Sequence, residues 1–521
     1  MKSAEVLIET GRLIGQWTAD GSVCSFKGVP YAHAPVGSLR WCPPQPAERW
    51  GGTRPALAFG PRCVQPNRPD NAVGYFGPEA ESEDCLSLNV WTGAPSAQER
   101  RQVMVWIHGG GFAVGSGSLP IFDGTALARR GAVVVTFNYR LGRLGFLAHP
   151  ALSAEQPHGT SGNYALLDQI AVLNWVKANI AAFGGDPSCV TIFGQSAGSS
   201  SVNSLMTSPL AKGLFHRAIG QSGGAFFGRI LQRLAAAEQA GSELACALRA
   251  SSIERLRELP VREIQFRRPD DGNSVKDVYD SSDPKGIDRK NSWSIIDGYV
   301  IPEVVMDQFA EGRQIDVPLL TGSTADEGST QPPISTLAEY ERRARADYGD
   351  MASEFLRVYP ANSDAEAVRS SRRMIGNRIF NWENWTWANM QVKTGRSPVY
   401  FYHFGQVPPK PDYPGRGGDL EHSIGSFHTA DIPYVFETLD ARSWPWRTID
   451  RELSDTMARY WINFAASGDP NSAGLPAWPR YDAGRDTTLL IKDGIRVGAT
   501  PERSALEFWK AVDAAIRARA N

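Results

Sequence analysis

Unbroken apolar runs alternate along this chain with stretches whose apolar residues recur every three or four positions. "VMVWI" (103–107), "VVVTFNY" (133–139), "VTIF" (190–193), "VPLLTG" (317–322) and "PVYFYHF" (398–404) are short, continuous and rich in β-branched or aromatic residues, as strands buried on both faces are. Between the second and third, Leu166, Ile170, Leu173, Val176, Ile180 and Phe183 follow one another at steps of three and four, which predicts a helix with one apolar face. Strands joined by such crossovers predict an α/β fold, a large and mostly parallel sheet flanked by helices. Catalytic groups then belong on loops at the carboxyl ends of the strands.

No repeat, low-complexity tract or linker interrupts the 521 residues, and the 51 glycines and 35 prolines are spread throughout, so residues 1–521 are read as one domain with many loops. A net charge of -2 offers no field for nucleic acid. No apolar run approaches the roughly 20 residues of a membrane helix. The opening "MKSAEVLIETGRL" lacks the apolar core of a secretory signal, so the expected location is cytoplasmic, without a membrane anchor. The six cysteines show no CxxC spacing and imply no metal.

Chemistry enters at "TIFGQSAGSS" (191–200), where Ser196 stands between Gly194 and Gly198 after a strand candidate. G-x-S-x-G is the pattern of a nucleophile elbow, a tight strand-to-helix turn that lifts a serine hydroxyl clear of the backbone. Ser222 in "GQSGG" fits the same pattern, but Gly223 and Gly224 make a poor helix start, which puts Ser196 ahead. "IHGGGF" (107–112) follows another strand, and its three glycines let backbone N–H groups approach a developing oxyanion.

A serine needs a base to take its proton and an acid to orient that base. In α/β-hydrolase order the acid and then the histidine follow the serine. Asp326 and Glu327 in "STADEG" come after the strand at 317–322, and His422 and His428 close a loop rich in proline and glycine. Spacing alone does not choose within either pair.

The chain resembles the type-B carboxylesterases, the α/β-hydrolase branch that includes carboxylesterases and cholinesterases, over nearly its whole length. The motifs in order are "FKGVPYAHAPVGSLRW" (26–41), "SEDCLSLNVW" (82–91), "IHGGGF", "NYRLGRLGFL" (138–147), "GNYALLDQ" (162–169), "FGGDPSCVTIFGQSAGS" (183–199), "ADEG", "FHTADIPYVF" (427–436) and "YWINFAASGDPN" (460–471). The resemblance implies an α/β-hydrolase fold with helical and loop insertions around an active-site gorge. It implies Ser196 as nucleophile, Glu327 as acid and His428 as base, with Gly110, Gly111 and the Ala197 N–H as oxyanion hole. Ser222 matches a serine supporting the acid and base, and His422 and Asp326 remain the fallback candidates. The implied reaction is hydrolysis of a small-molecule ester through an acyl-enzyme, with neither cofactor nor metal. Oligomeric state is not legible.

Arg40 with Glu83, and Arg140 with Asp168, resemble ion pairs that lock loops to the core. Cys63 and Cys85 match a family disulfide, which would point instead to a secreted or periplasmic protein. Where many relatives carry glutamate before the nucleophile this chain has Gln195, and the loop between the two cysteines holds no tryptophan, only Tyr75 and Phe76 as aromatics. Choline esters, which relatives hold on such a tryptophan, are therefore not the expected substrates. Phe112 and the cluster "NWENWTW" (381–387), with Trp382 and Trp385, are candidate pocket walls for bulky or aromatic esters. The three-residue spacing of the two tryptophans favours a buried core patch over a pocket. The sequon Asn384-Trp385-Thr386 sits in an aromatic setting that argues for coincidence.

Overall fold

A computed structural model of the chain describes residues 4–67, 79–226, 231–268, 274–275, 290–329, 331–409 and 424–520. Among these, the strands that build the main sheet are β1 (Gln16–Trp17), β2 (Cys24–Pro30), β3 (Ser87–Thr92), β4 (Arg101–Ile107), β5 (Val133–Phe137), β6 (Gly185–Gln195), β7 (Arg217–Gln221), β8 (Leu319–Thr324), β9 (Val399–Phe404), β10 (Thr487–Ile491) and β11 (Ile495–Ala499). They form one 11-stranded sheet in the order β1-β2-β3-β5-β4-β6-β7-β8-β9-β10-β11. From β5 through to β10 every neighbouring pair is parallel, and the antiparallel pairings lie at the two edges.

The five strands expected from continuous apolar runs are all present. β5, "VVVTF", is buried at every position, and so is Val103–Ile107 of β4, because helices cover both faces of the sheet. One apolar cluster gathers on one side of the sheet and a second, centred on Trp106, Phe436 and Trp461, on the other.

The helix predicted from 166 onward is α1 (Tyr164–Asn179), continued by a tight turn at Ile180–Phe183. All six predicted apolar positions are buried, yet so are Asp168, Gln169, Trp175 and Asn179, so the single-faced expectation is corrected. Hydrogen bonds offset much of the cost of burying the polar positions. Asp168 accepts from Arg140 Nε at 2.8 Å and Nη2 at 2.7 Å and from the Arg140 N–H at 3.0 Å, and Gln169 donates to Ser201 Oγ at 3.1 Å. Arg40 grips Glu83 in the same two-pronged way, at 2.7 and 2.6 Å.

Parallel register brings the strand ends into line. Ile107 of β4 pairs with Gly194 of β6, Gln195 with Gln221 of β7, Gln221 with Gly322 of β8, and Thr324 with Phe404 of β9. The loops that follow these residues emerge side by side along one edge of the sheet. Among the described residues, no helix is long and apolar enough to cross a membrane.

Candidate active site

Ser196 occupies the turn between β6 and α2 (Ala197–Leu205) with φ 59° and ψ -124°, a conformation that costs an L-residue energy and persists only where its surroundings enforce it. Enforcement comes from close packing. A Cβ on Gly198 would collide with the carbonyl oxygen of Ile107, so the helix start can press onto the end of β4 only with glycine there. The Ser196 N–H donates to the Gln221 carbonyl at 2.9 Å, extending the sheet ladder one residue into the turn. From Val190 to Ser199 every residue is buried except Ser196. Ala197 is the first residue of α2, so its N–H has no carbonyl within the helix to bond.

The glycine turn lies beside this elbow because Ile107 and Gly194 are in register. Gly110 and Gly111 have φ of 106° and 62°, and the N–H groups of Ala113 and Val114 both donate to the Gly110 carbonyl at 3.1 Å. Beneath the turn His108 stacks on Tyr139 at 4.3 Å, and burial pushes its imidazole down to about 4. His403 is pushed to about 4 by burial as well. Both imidazoles are neutral side chains of the core.

Glu327 and His428 are brought together by a backbone clamp. The Asp326 N–H donates to the Ser426 carbonyl at 2.9 Å, and the Ser426 N–H donates to Asp326 Oδ2 at 2.8 Å, so Asp326 and Phe427 form a parallel bridge. One residue further along each segment, the fully buried carboxylate of Glu327 contacts His428 Nδ1 through Oε2. Its other oxygen accepts the Thr324 N–H at 2.7 Å. A neutral imidazole that donates its Nδ1 proton to this carboxylate keeps its Nε2 lone pair available as a proton acceptor. His428 is 13% exposed, and its ring lies 4.0 Å, centroid to centroid, from Phe380. The amide of Gln195, the residue before the elbow serine, donates to the His428 carbonyl at 2.5 Å and stands 3.4 Å from both ring nitrogens.

Ser222 sits on the turn after β7. Its backbone also has positive φ, at 53°, and its N–H donates to the Gly322 carbonyl at 2.8 Å. Its hydroxyl is buried without a hydrogen-bond partner among the described residues. A buried polar network lies beside the pair, built from residues to which sequence reasoning gave no role. Gln221 donates to Asp431 Oδ2 at 2.9 Å, Tyr402 donates to the same oxygen at 2.8 Å, and Trp461 donates to Gln221 at 3.3 Å. Burial pushes Asp431 up to about 6 against those bonds, with the Glu327 charge adding to the rise. The available signal was the Asp three residues after His428 in "FHTAD".

The core reading that the spacing of Trp382 and Trp385 favours, and the coincidental reading of the sequon, agree with the structure. Trp382 and Trp385 are 1% and 3% exposed and belong to the core. The Trp385 ring faces Arg503 at 4.8 Å and Lys510 at 5.9 Å, beside the helix Arg503–Ala520, which removes it from the pocket walls. Phe112 is buried at 1% between Phe146 and Trp293, each 4.9 Å away. Asn384 is fully buried and braces the residues behind the elbow, accepting from the Gly223 N–H at 2.7 Å, so the sequon is no sugar site. Cys63 and Cys85 are buried as free thiols in mutual hydrogen-bond contact, not as a disulfide. The Leu141 N–H donates to Cys63 Sγ at 3.3 Å, and the Cys63 contact and burial hold the Cys85 thiol well above its usual range, which suppresses the thiolate that disulfide exchange requires. Tyr75, Phe76 and His422 lie outside the described residues. Among the described residues no cluster of His, Cys, Asp and Glu could hold a metal ion.

Comparison with known proteins agrees with this geometry. Residues 2–509 match the sequence model of the carboxylesterase family. The chain is 38% identical to the fumonisin B1 esterase of Sphingopyxis macrogoltabida, over 93% of this chain and 87% of that one. It is 34% identical to the para-nitrobenzyl esterase of Bacillus subtilis (strain 168), over 95% and 96%. A solved PNB esterase superposes with a TM-score of 0.79 at 31% identity, covering 97% of this chain and 100% of that one. A parallel sheet with a serine elbow, a glycine turn and a buried carboxylate on a histidine at its strand ends, matched by esterases along the full length, means that the chain belongs to the carboxylesterase family of α/β-hydrolases, enzymes that hydrolyse carboxylic esters.

Proposed function

We propose that Ser196, His428 and Glu327 form the catalytic triad of this esterase, with the N–H groups of Gly110, Gly111 and Ala197 as its oxyanion hole. The observation that carries the reading is the buried Glu327 carboxylate on His428 Nδ1, with Gln195 of the elbow bonded to the same histidine. His428 Nε2 takes the Ser196 proton as Oγ attacks the ester carbonyl carbon. The oxyanion of the tetrahedral intermediate is held by the three N–H groups, each worth roughly 3 kcal/mol to the transition state. On collapse the alcohol leaves with the proton from His428. Water attacks the acyl-serine, giving its proton to the same imidazole; as the bond between the acyl carbon and Oγ breaks, His428 returns the proton to Ser196 and the acid departs. Glu327 keeps the imidazole in the required tautomer and stabilises its charged form.

A second reading concerns the substrate. Similarity to a fumonisin B1 esterase at 38% identity supports the same chemistry turned to a bulky xenobiotic or toxin ester. An amide substrate would use the same groups and is given less support by the esterases the chain resembles, and a purely binding role is given less support by the retained Ser196, His428 and Glu327. The sheet draws strands from Gln16 to Ala499, which supports residues 1–521 as one domain, and the free Cys63 and Cys85 support a cytoplasmic location.

The test is hydrolysis of p-nitrophenyl acetate, butyrate and octanoate, with fumonisin B1 added to the panel, by wild type, Ser196→Ala and Ser222→Ala, and mass spectrometry after an organophosphate. Activity lost in Ser196→Ala alone, with a single adduct on the peptide carrying Ser196, is expected. Labelling at Ser222, or full activity in Ser196→Ala, overturns the assignment.

A further inference from the structure

The helix behind the site has a defect where it meets the proposed base. Helix α3 (Asp364–Gly376) passes into α4 (Trp382–Thr394) through a π-helical turn at Asn377–Asn381, one residue wider per turn than the helices it joins. The wide turn is held from behind. Asn381 donates to Asn377 at 2.8 Å, Asn377 donates to Glu502 at 3.1 Å, and the Arg378 guanidinium lies 5.5 Å over the Trp509 ring. Phe380 points the other way and lays its ring on His428 at 4.0 Å, tilted by 36°. The same helix also seats the acid's loop. A Cβ on Gly376 would stand 3.0 Å from Glu327 Cβ and 2.8 Å from the Gly328 nitrogen. One helix therefore fixes the backbone around the acid and, through its wide turn, an aromatic ring against the base.

We propose that Phe380 is a positioning residue for ester hydrolysis, its ring holding the His428 imidazole in the plane that serves both Glu327 and Ser196. The inference rests on the reading of His428 as the base. Glu327 anchors the imidazole at Nδ1 alone, which leaves the ring free to tilt about that one contact as the proton moves; a ring packed against its face restricts the tilt. An aromatic face also favours the imidazolium formed during proton transfer.

Phe380→Tyr keeps the ring, Phe380→Leu keeps the bulk without it, and Phe380→Ala removes both. Steady-state kinetics on p-nitrophenyl butyrate should leave the Tyr variant within about 3-fold of wild type, while Leu and Ala lose roughly 10- to 100-fold in kcat with KM moved less than about 3-fold, the scale of a small misplacement of a catalytic group. The Leu variant carries the test if Ala does not fold. The Nδ1 proton resonance of His428 should shift and broaden in Phe380→Leu and not in Phe380→Tyr. A Leu variant with wild-type kcat, or a defect confined to KM, overturns the proposal. His428→Ala separates the two readings. Retained activity there refutes His428 as base, whereas an inactive His428→Ala beside an unimpaired Phe380→Leu refutes Phe380 alone.

Discussion

Asp326 and Ser426, 100 residues apart in sequence, exchange two hydrogen bonds: the Asp326 N–H donates to the Ser426 carbonyl, and the Ser426 N–H donates to the Asp326 carboxylate. The next residue toward the site on one segment is Glu327 and the next but one on the other is His428. Asp326 thus works on the backbone and not on the imidazole. Asp326→Asn can present an oxygen to the same N–H and should keep most activity. Asp326→Ala leaves that buried N–H unpaired and should destabilise by about 1–3 kcal/mol. Its kcat should fall more than that of the Asn variant, as urea unfolding and initial rates on p-nitrophenyl butyrate would show; equal effects of the two would contradict the clamp.

Gly198→Ala should be far worse than an alanine elsewhere. The new methyl would collide with the Ile107 carbonyl, and forcing the helix start away from β4 separates the elbow from the glycine turn. We expect a loss of about 1–3 kcal/mol, the usual cost of overpacking, with activity abolished. Gly51→Ala, which meets nothing within 4 Å, is the control and should leave the melting temperature unchanged.

The Asp431 carboxyl gives stability a pH dependence. Its folded value of about 6 stands above the ordinary 3.8, so the folded state holds the proton more tightly than the unfolded chain does. The resulting stability is complete below about 4, falls as pH rises to about 6 and is absent above that, an effect of roughly 3 kcal/mol at most. Asp431→Asn cannot ionise. The difference in melting temperature between variant and wild type should therefore move in the variant's favour between pH 4 and pH 7 by calorimetry, and a constant difference would contradict a raised Asp431.

All six cysteines are thiols in the structure. Titration with a thiol reagent in denaturant should count six with or without prior reduction, and dithiothreitol should leave the melting temperature unmoved. A count of four before reduction would restore the Cys63 and Cys85 disulfide.

What was legible in the sequence was whatever is written locally. The elbow and the glycine turn each occupy a few consecutive residues, and their glycines are needed for contacts within reach of the turn itself. The strands were legible because burial on both faces leaves no polar position to interrupt them. Spacing did not choose between Asp326 and Glu327, neighbours of similar chemistry; the family resemblance pointed to Glu327, and the distant Ser426 shows that Asp326 is occupied by the backbone. For Ser222 the shape of the turn is local, but what its hydroxyl meets is set by segments distant in sequence. Phe380 had no signal at all, because it reaches His428 from a helix that neither motif contains. The predicted stripe on α1 missed Asp168, whose burial depends on Arg140 in another segment.

The order of the strands has a consequence for synthesis. The glycine turn, the elbow, the acid and the histidine follow β4, β6, β8 and β9 in turn, and the site's last member arrives at residue 428 of 521. β10 and β11, which close that side of the sheet, and the helix that braces the π-turn come later still. A chain still on the ribosome therefore carries the Ser196 elbow without the histidine proposed as its base. Esterase activity should switch on only near the end of translation, after the growing sheet has waited for partners hundreds of residues away.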